Sequence, residues 1–303
     1  MSWRRGRDGA ERGDWGMAEG RGAGIAMVLA AGLIYSTAGL FTRALALDAW
    51  TILGWRAVFG TAFMLAWMGV ENGRGTLRAF ALPPASLLLT VPVALSGLCY
   101  IVALKLTTVA DVMVVYAAMP FVTALVAWAW VGDVPDRRLM TAGAIALLGI
   151  AAMVGGGAAQ GSRLAGMAFA FGMDVGMAVI LVNARRGARA GNAVYTLGTA
   201  LSGVVGFALA PRPAVSAGDL ALLAPFGLLT IGLAMALYMA GARRIPAAEV
   251  GLISMLDVAS GPALVWLAFG EDPGPTTVVG GAVVVGALLW HLAPDMRRLL
   301  RPA

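Results

Sequence analysis

The chain consists of repeated apolar stretches of about twenty residues, separated by short polar connections. A helix of that length crosses the roughly 30 Å of hydrocarbon in a bilayer. Because backbone groups in lipid must be hydrogen-bonded internally, each stretch has to be helical. The composition agrees, since 60% of the residues are hydrophobic and 13% are charged, against about 45–50% and about 25% in soluble domains. The sequence therefore predicts an all-α, polytopic membrane protein.

Ten spans are predicted, five in each half of the chain. The first five lie at residues 23–43, 50–70, 86–104, 109–131 and 139–157. The second five lie at residues 164–183, 193–210, 219–241, 247–269 and 275–293. Residues 1–22, rich in Arg and Gly, are predicted to form a disordered basic tail, and residues 294–303 a second, cytoplasmic basic tail. No connection is long enough to hold a soluble domain.

The basic residues predict the orientation of these spans. With ten spans both termini lie on one side, which receives seventeen of the 22 Lys and Arg residues. The other side receives four, which are Arg43, Lys105, Arg163 and Arg212. Cytoplasmic loops carry the excess of positive charge, so both termini are predicted to be cytoplasmic, in the inner membrane of a bacterium. Because the arginines lie in clusters between apolar runs, nucleic acid is not a predicted partner.

The two halves repeat each other. A shift of 138 positions places residues 100–135 on residues 238–273 without a gap. The matched pairs include Tyr100–Tyr238, Lys105–Arg243, Asp111–Glu249, Trp128–Trp266, Gly132–Gly270 and Pro135–Pro273. The repeats are predicted at residues 23–157 and 164–293, and five helices, an odd number, make the second repeat enter the membrane from the opposite side. Inverted repeats are typical of secondary transporters, whose substrate site lies between the repeats near the midplane.

Several residues of the first repeat form a recognisable pattern. They are Arg56 in the second span, the stretch Ala103-Leu104-Lys105-Leu106-Thr107-Thr108-Val109-Ala110, Pro120 in the fourth span and Gly132-Asp133 after it. This pattern resembles the EamA-type repeat of the drug/metabolite transporter superfamily. The resemblance implies ten helices around a central cavity, alternating access, and movement of amino acids, nucleobase-like compounds or related metabolites, often outward. Two departures are Asp133, where the family has Glu, and Val258, which aligns with Pro120.

Asp257 is the strongest candidate for a site residue. A charge at the centre of a span costs roughly 2.5–3.5 kcal/mol on insertion scales, so something must retain it. Ser254 and Ser260 lie three residues to either side and share its helix face. The functional interpretation is binding of a substrate cation or uptake of a proton. The structural alternative is a permanent pair with a buried arginine.

Two further charges lie within spans. Asp174 occupies the position of Gly32 in the first repeat, and a role in the cavity competes with a plain interhelical hydrogen bond. Arg56 could extend to the interface or bind a substrate carboxylate through its guanidinium.

Some uncharged residues of the spans are also candidates. Tyr35 and Ser36 lie on a stripe of small residues in the first span, where close helix packing is the simpler explanation. Tyr116 shares a face with Pro120, where a bend could expose carbonyl groups to a cavity. Asp111, in the first turn of its helix, is interpreted as structural because negative charge suits a helix N-terminus.

The sequence excludes several classes of protein and leaves others open. It contains no P-loop and no zinc-protease or serine-hydrolase motif, so no enzyme activity and no catalytic residue is predicted. One cysteine and one histidine predict no metal site, and no cofactor is expected. The open functions are a metabolite exporter, an uptake carrier for a vitamin or nucleobase-like compound, and a non-transporting sensor or binding subunit. The expected partners are a small-molecule substrate and the lipid bilayer, and a homodimer stays open.

Overall fold

The computed structural model describes residues 7–132, 134, 137–155, 161–185, 192–242, 244–245 and 247–299. All the regular structure in these residues is helical. The first half contains α1 (Arg7–Ser36), α2 (Ala38–Ala44), α3 (Ala49–Asn72), α4 (Thr76–Ala79), α5 (Pro84–Leu88), α6 (Thr90–Leu106), α7 (Val109–Ala117), α8 (Met119–Val131) and α9 (Arg137–Gly155). The second half contains α10 (Gly161–Arg185), α11 (Asn192–Leu209), α12 (Ala217–Phe226), α13 (Ala234–Ala242), α14 (Ala247–Phe269) and α15 (Gly274–Leu299). A short 3-10 helix, Gly73–Gly75, precedes α4, and a π-helix, Gly227–Leu233, joins α12 to α13.

Many of these helices can cross a membrane. Among the described residues, seven helical segments are long and apolar enough to do so, or eight if the bent pair α7–α8 forms one span. α9 and the shorter apolar helix Leu256–Phe269 of α14 lie where the sequence predicts two further spans but are not among these candidates. The protein is thus a multi-pass, all-helical membrane protein.

Helix termini are set by local chemistry. Asp48 caps α3 by accepting hydrogen bonds from the backbone N–H groups of Trp50 and Thr51, both at 3.0 Å. Thr108 caps α7 in the same way through the N–H of Asp111. These side chains satisfy amide groups that have no partner in the first turn of a helix. The two caps fix where the second and fourth spans begin.

The helix ends repeat between the halves. α8 ends at Gly132 with φ of +75° and α14 ends at Gly270 with φ of +67°. In each case the glycine N–H donates to the carbonyl oxygen four residues earlier, at Trp128 and Trp266. Glycine adopts this left-handed conformation without steric cost, which is why it ends both helices.

Helices of one half pack mainly on helices of the other half. α10 lies against α6, α7 and α8, while α1 lies against α13 and α14. α3 packs on α11 and on the π-helix, and α11 also packs on α6. α9 packs on α15, and α7 packs on α14. If each helix is exchanged for its counterpart in the other predicted repeat, the same pairs of helices are in contact.

Close contacts at glycine residues also occur at matching positions of the two halves. Gly60 of α3 meets Ile231, and its counterpart Gly198 of α11 meets Val93, the counterpart of Ile231 at a shift of 138. A methyl group at either glycine would overlap its neighbour. Small residues let helices approach closely in a membrane, where apolar surface alone gives little drive for association. The core therefore forms between the halves.

Some predictions fall on other parts of the chain. Helix α1 begins at Arg7 and α15 continues to Leu299, so helix extends into both segments predicted as tails. Asp133, Pro135 and Arg243 lie outside the described residues, and so do the side chains of Glu249 and Ser254.

Candidate functional site

Asp257 lies in a polar contact between α14 and α1. The hydroxyl of Ser36 donates a hydrogen bond to Asp257 Oδ1 at 2.9 Å. Ser260 Oγ lies 2.5 Å from the same hydroxyl, so Ser36, Asp257 and Ser260 meet at one point. Ser36 is 1% exposed and Asp257 is 9% exposed. Among the described residues only Oδ1 of this carboxylate is seen to accept a hydrogen bond, which leaves Oδ2 for a ligand.

The sequence predicted these three residues as site candidates, and the structure brings them together. Ser36 and Asp257 are 221 positions apart in the chain, so their contact depends on the packing of α1 against α14. The permanent pairing of Asp257 with a buried arginine is not seen in the described part of the chain. Tyr35, the neighbour of Ser36, turns its hydroxyl toward the sulfur of Met235 at 3.6 Å.

Tyrosines surround this contact. Tyr35 lies within electrostatic range of Tyr116, Tyr195, Tyr238 and Asp257. Tyr116 likewise interacts with Tyr100, Tyr238 and Asp257. Tyr35, Tyr100 and Tyr116 therefore gather around the Asp257 carboxylate, and Tyr195 and Tyr238 lie near these tyrosines.

The tyrosines border an internal space. Tyr35, Tyr100, Tyr116 and Tyr195 are set deep in the protein, yet each keeps part of its surface accessible to a water-sized probe. Gly32, one turn before Ser36, is buried, and a methyl group there would meet no atom within 4 Å. Residues that are deep and still accessible indicate a hollow, bordered by these tyrosines, between the two halves.

Arg56 supplies a positive charge to the same region. It is 7% exposed, so its side chain is buried among the helices. Its guanidinium carbon lies 4.8 Å from the centre of the Phe226 ring and 5.7 Å from that of Tyr100. Its Nε donates to Thr230 Oγ1 at 3.3 Å. Aromatic faces and a hydroxyl hold the cation, which leaves most of its N–H donors for a ligand.

Tyr100 lies near both charged residues, Asp257 and Arg56. Its hydroxyl lies within electrostatic range of both Asp257 and Arg56. Sequence reasoning selected Tyr35 and Tyr116 but missed Tyr100, Tyr195 and Tyr238. The alignment of Tyr100 with Tyr238 in the repeat was a usable signal, because a polar residue at matching positions of two inverted repeats indicates the shared interface.

Asp174 is buried in a different way. It is 0% exposed, and neither carboxylate oxygen has a hydrogen-bond partner among the described residues. The predicted interhelical hydrogen bond is therefore not seen in the described part of the chain. Asp174 also lies within electrostatic range of Tyr116, which places it near the edge of the tyrosine group.

Two ion pairs hold the end of the bundle at the connection between α6 and α7. Arg43 Nε donates to Glu271 at 2.5 Å, and its other nitrogens donate to the carbonyl oxygens of Leu104 and Thr107. Glu271 also accepts from the N–H of Val109 at 2.8 Å. This first pair therefore ties α2 and the end of α14 to the connection between α6 and α7.

The second ion pair lies just beyond the same connection. Arg163 Nε donates to Asp111 Oδ2 at 2.8 Å, and Thr107 and Thr277 donate to the same carboxylate. Asp111 is 0% exposed, and it links α7, α10 and α15. These contacts give Asp111 the structural role that its position indicated.

The opposite end has a more open form. A cavity of about 550 Å³ lies there between the ends of α3 and α13. It is lined by Trp67, Val70, Glu71, Ala240 and Arg244. No group of three or more His, Cys, Asp or Glu side chains among the described residues could hold a metal ion.

Comparisons with known proteins agree with this architecture. The model of the EamA-like transporter family matches residues 22–155. A solved structure, titled only as a crystal structure of a protein, aligns with a TM-score of 0.64 and 21% sequence identity. The alignment covers 93% of this chain and 100% of that one, and fourteen chains of solved structures match in all. No curated protein matches.

These findings define the class of the protein. It is a multi-pass helical membrane protein whose first half carries the signature of drug/metabolite-type transporters. The first half of the chain, residues 22–155, matches the EamA-like transporter family.

Proposed function

We propose that this protein is a secondary transporter that exports small organic metabolites, amino acids or related zwitterions, by alternating access. The observation that carries the proposal is the hollow that contains one anion, Asp257, and one cation, Arg56, joined through Tyr100. An internal charge in a membrane is costly and is retained where it serves a substrate or ion path.

The two charges suit a zwitterion. Oδ2 of Asp257 can accept from a substrate ammonium group while Ser36 holds Oδ1. The guanidinium of Arg56 can bind a carboxylate through two parallel hydrogen bonds. Tyrosine hydroxyls and ring faces would border the rest of the molecule. Because the site is largely out of water, both charges gain more from a ligand of opposite charge than they would at a surface.

The proposed architecture has ten spans in two inverted repeats. Three observations support it. Counterpart helices make counterpart contacts across the halves, Gly60 and Gly198 meet counterpart residues, and a ten-span topology segregates the basic residues. By the positive-inside rule both termini are cytoplasmic, in a bacterial inner membrane.

Export is supported by the difference between the two ends. In this topology the ion pairs Arg43–Glu271 and Asp111–Arg163 close the outer end. The 550 Å³ cavity beside Trp67 and Arg244 lies at the cytoplasmic end. A bundle closed at the outer end and open at the cytoplasmic end would load an internal solute.

Counterflow in reconstituted vesicles tests the proposal. Vesicles are preloaded with an unlabelled amino acid or nucleobase, and entry of the same labelled compound is followed. We expect transient accumulation of one or more amino acids with the wild-type chain and none in protein-free vesicles. The Asp257→Asn variant should lose it, because the amide cannot balance an ammonium charge.

The matched control is Asp272→Asn, the same change at an exposed carboxylate that accepts from the N–H of Gly274. It should keep wild-type counterflow. Binding of labelled amino acids without any flux would favour a sensor or binding subunit, and accumulation of nucleobases alone would favour an uptake carrier of the other predicted class. Either result would overturn the proposal.

A further inference from the structure

Asp174 lies at a point where the protein offers no partner for a negative charge. Its side chain is fully buried and neither oxygen accepts a hydrogen bond from the described residues. Gly172 and Gly176, two residues to either side, face α6, where they approach Cys99 and the carbonyl oxygen of Pro92. Two residues correspond to about 200° around a helix, so Asp174 points away from α6.

The titratable groups on the neighbouring helices are engaged elsewhere. On α6, Cys99 faces Gly172, and Lys105 donates to the carbonyl oxygen of Leu45 near the outer end. The third such residue of α6, Tyr100, interacts with Asp257 and Arg56.

The other two helices that pack on α10, which are α7 and α8, place one polar group near Asp174. α8 contains no acidic or basic residue. On α7, Asp111 is paired with Arg163 of α10, the helix that carries Asp174. Tyr116 of α7 is the group within electrostatic range. In the described part of the chain, Asp174 therefore has no cation beside it.

A bare carboxylate in such a place is expensive. An ionised group moved into a medium without hydrogen-bond partners loses far more solvation energy than an unpaired neutral group, and it takes up a proton instead. The neutral carboxylic acid is the form that this environment accommodates. Asp257 differs, because Ser36 donates to it.

We propose that Asp174 is a proton-binding site of the carrier, occupied in this conformation and separate from the solute site at Asp257. The coupling role rests on the proposed transport function. One O–H bond forms when a carboxylate oxygen takes a proton from water, and the same bond breaks when the proton returns to water on the other side. No electron transfer or further reactant is involved.

The bend between α7 and α8 offers a link to conformational change. The two helices meet at 47° around Ala118, two residues after Tyr116. Pro120 has no backbone N–H and cannot restore a continuous hydrogen-bond ladder there. A change in this bend would alter the packing of α7 and α8 on α10 and admit water to Asp174. Proton exchange between Asp174 and water would then require a change of conformation.

Infrared spectroscopy on the whole protein in lipid tests the site directly. Isotope-labelled aspartate identifies the carbonyl band of a protonated aspartic acid, and pH is varied from acidic to alkaline. At neutral pH we expect a band that is present in the wild type and in Asp257→Asn and lost in Asp174→Asn. Asp174→Glu, with unlabelled glutamate, should lose the isotope-shifted band and show an unshifted acid band instead.

Absence of the band from the wild type, or its persistence in Asp174→Asn, would overturn the proposal. Neither reading needs transport, so this result stands apart from the counterflow test. With the amino acids that show counterflow, Asp174→Asn should keep exchange but lose stimulation by a pH gradient. Stimulation equal to wild type would refute the coupling role while leaving the solute site intact.

Discussion

Asp257 and Asp174 are both carboxylates in apolar helices of the second repeat, yet their surroundings differ in kind. Asp257 accepts a hydrogen bond from Ser36 and faces a hollow with Arg56 and the tyrosines. Asp174 is sealed and has no hydrogen-bond donor among the described residues. A partnered carboxylate can stay charged and bind a solute, whereas an unpartnered one is tolerated when neutral. Burial alone therefore does not define the role of a carboxylate, because the hydrogen-bond donors around the carboxylate determine that role.

The largest expected effect is on solute affinity, which should differ between variants of the two carboxylates. Asp257→Asn should weaken binding of a transported amino acid roughly 100-fold, since losing a buried charge pair costs about 2–5 kcal/mol. Asp174→Asn should leave affinity close to wild type. Equilibrium binding of the labelled amino acid to purified protein measures both variants. Equal losses would show that the two carboxylates belong to one site.

A smaller effect is expected at the opposite charge. Arg56→Lys should weaken binding about 10-fold, because an ammonium cannot reproduce a two-point contact with a carboxylate and one charged hydrogen bond is worth about 1.5–3 kcal/mol. An analogue in which the carboxylate is replaced by a neutral amide should bind both proteins alike. A similar loss for the amide would mean that Arg56 supports the hollow and does not contact the solute.

Thermal stability also distinguishes Asp257 from Asp174, and its measurement needs no ligand. Asp257→Leu should lower the free energy of unfolding by about 1–3 kcal/mol, because the Ser36 hydroxyl loses a buried acceptor. Asp174→Leu should be neutral or stabilising, since no donor loses a partner. Melting of purified protein in detergent measures both. A stability loss at Asp174→Leu that matches Asp257→Leu would point to a hidden partner of Asp174.

The smallest effect is expected at Asp48, a carboxylate outside the membrane that serves as a reference. Partial burial acts to raise the pKa of Asp48, but hydrogen bonds from the Thr51 hydroxyl and from the N–H groups of Thr51 and Trp50 outweigh it, so the pKa lies below 3.8. Asp48→Ala should cost about 0.5–2 kcal/mol as the loss of a helix cap.

The pH dependence of that cost follows from the direction of the shift. A carboxyl whose pKa falls on folding stabilises the protein above its unfolded value, and the stabilisation is lost as pH falls through the folded value. The difference in melting between wild type and Asp48→Ala should therefore be full near neutral pH and shrink in strong acid. A difference that grows on acidification would contradict the cap.

The sequence alone determined much of the fold. Spans of about twenty apolar residues had to be helices, and the family resemblance from Arg56 to Asp133 is confirmed by the family match over residues 22–155. Asp257 and Ser260 were predicted together on one helix face and Ser36 separately, because a polar residue in an apolar helix stands out whatever it contacts. These are local properties, set by the cost of placing each group in lipid.

Tertiary structure decided which of these groups meet. Ser36 contacts Asp257, 221 positions away, and Arg56 lies against the Phe226 ring. Tyr195 lies near Tyr35, on a helix that showed no polar pattern in the sequence. Helix packing sets these contacts, and a one-dimensional pattern specifies which face is polar but not which helix covers it. For the same reason, the packing of α10, which left Asp174 without a donor, could not be read from the residues around it.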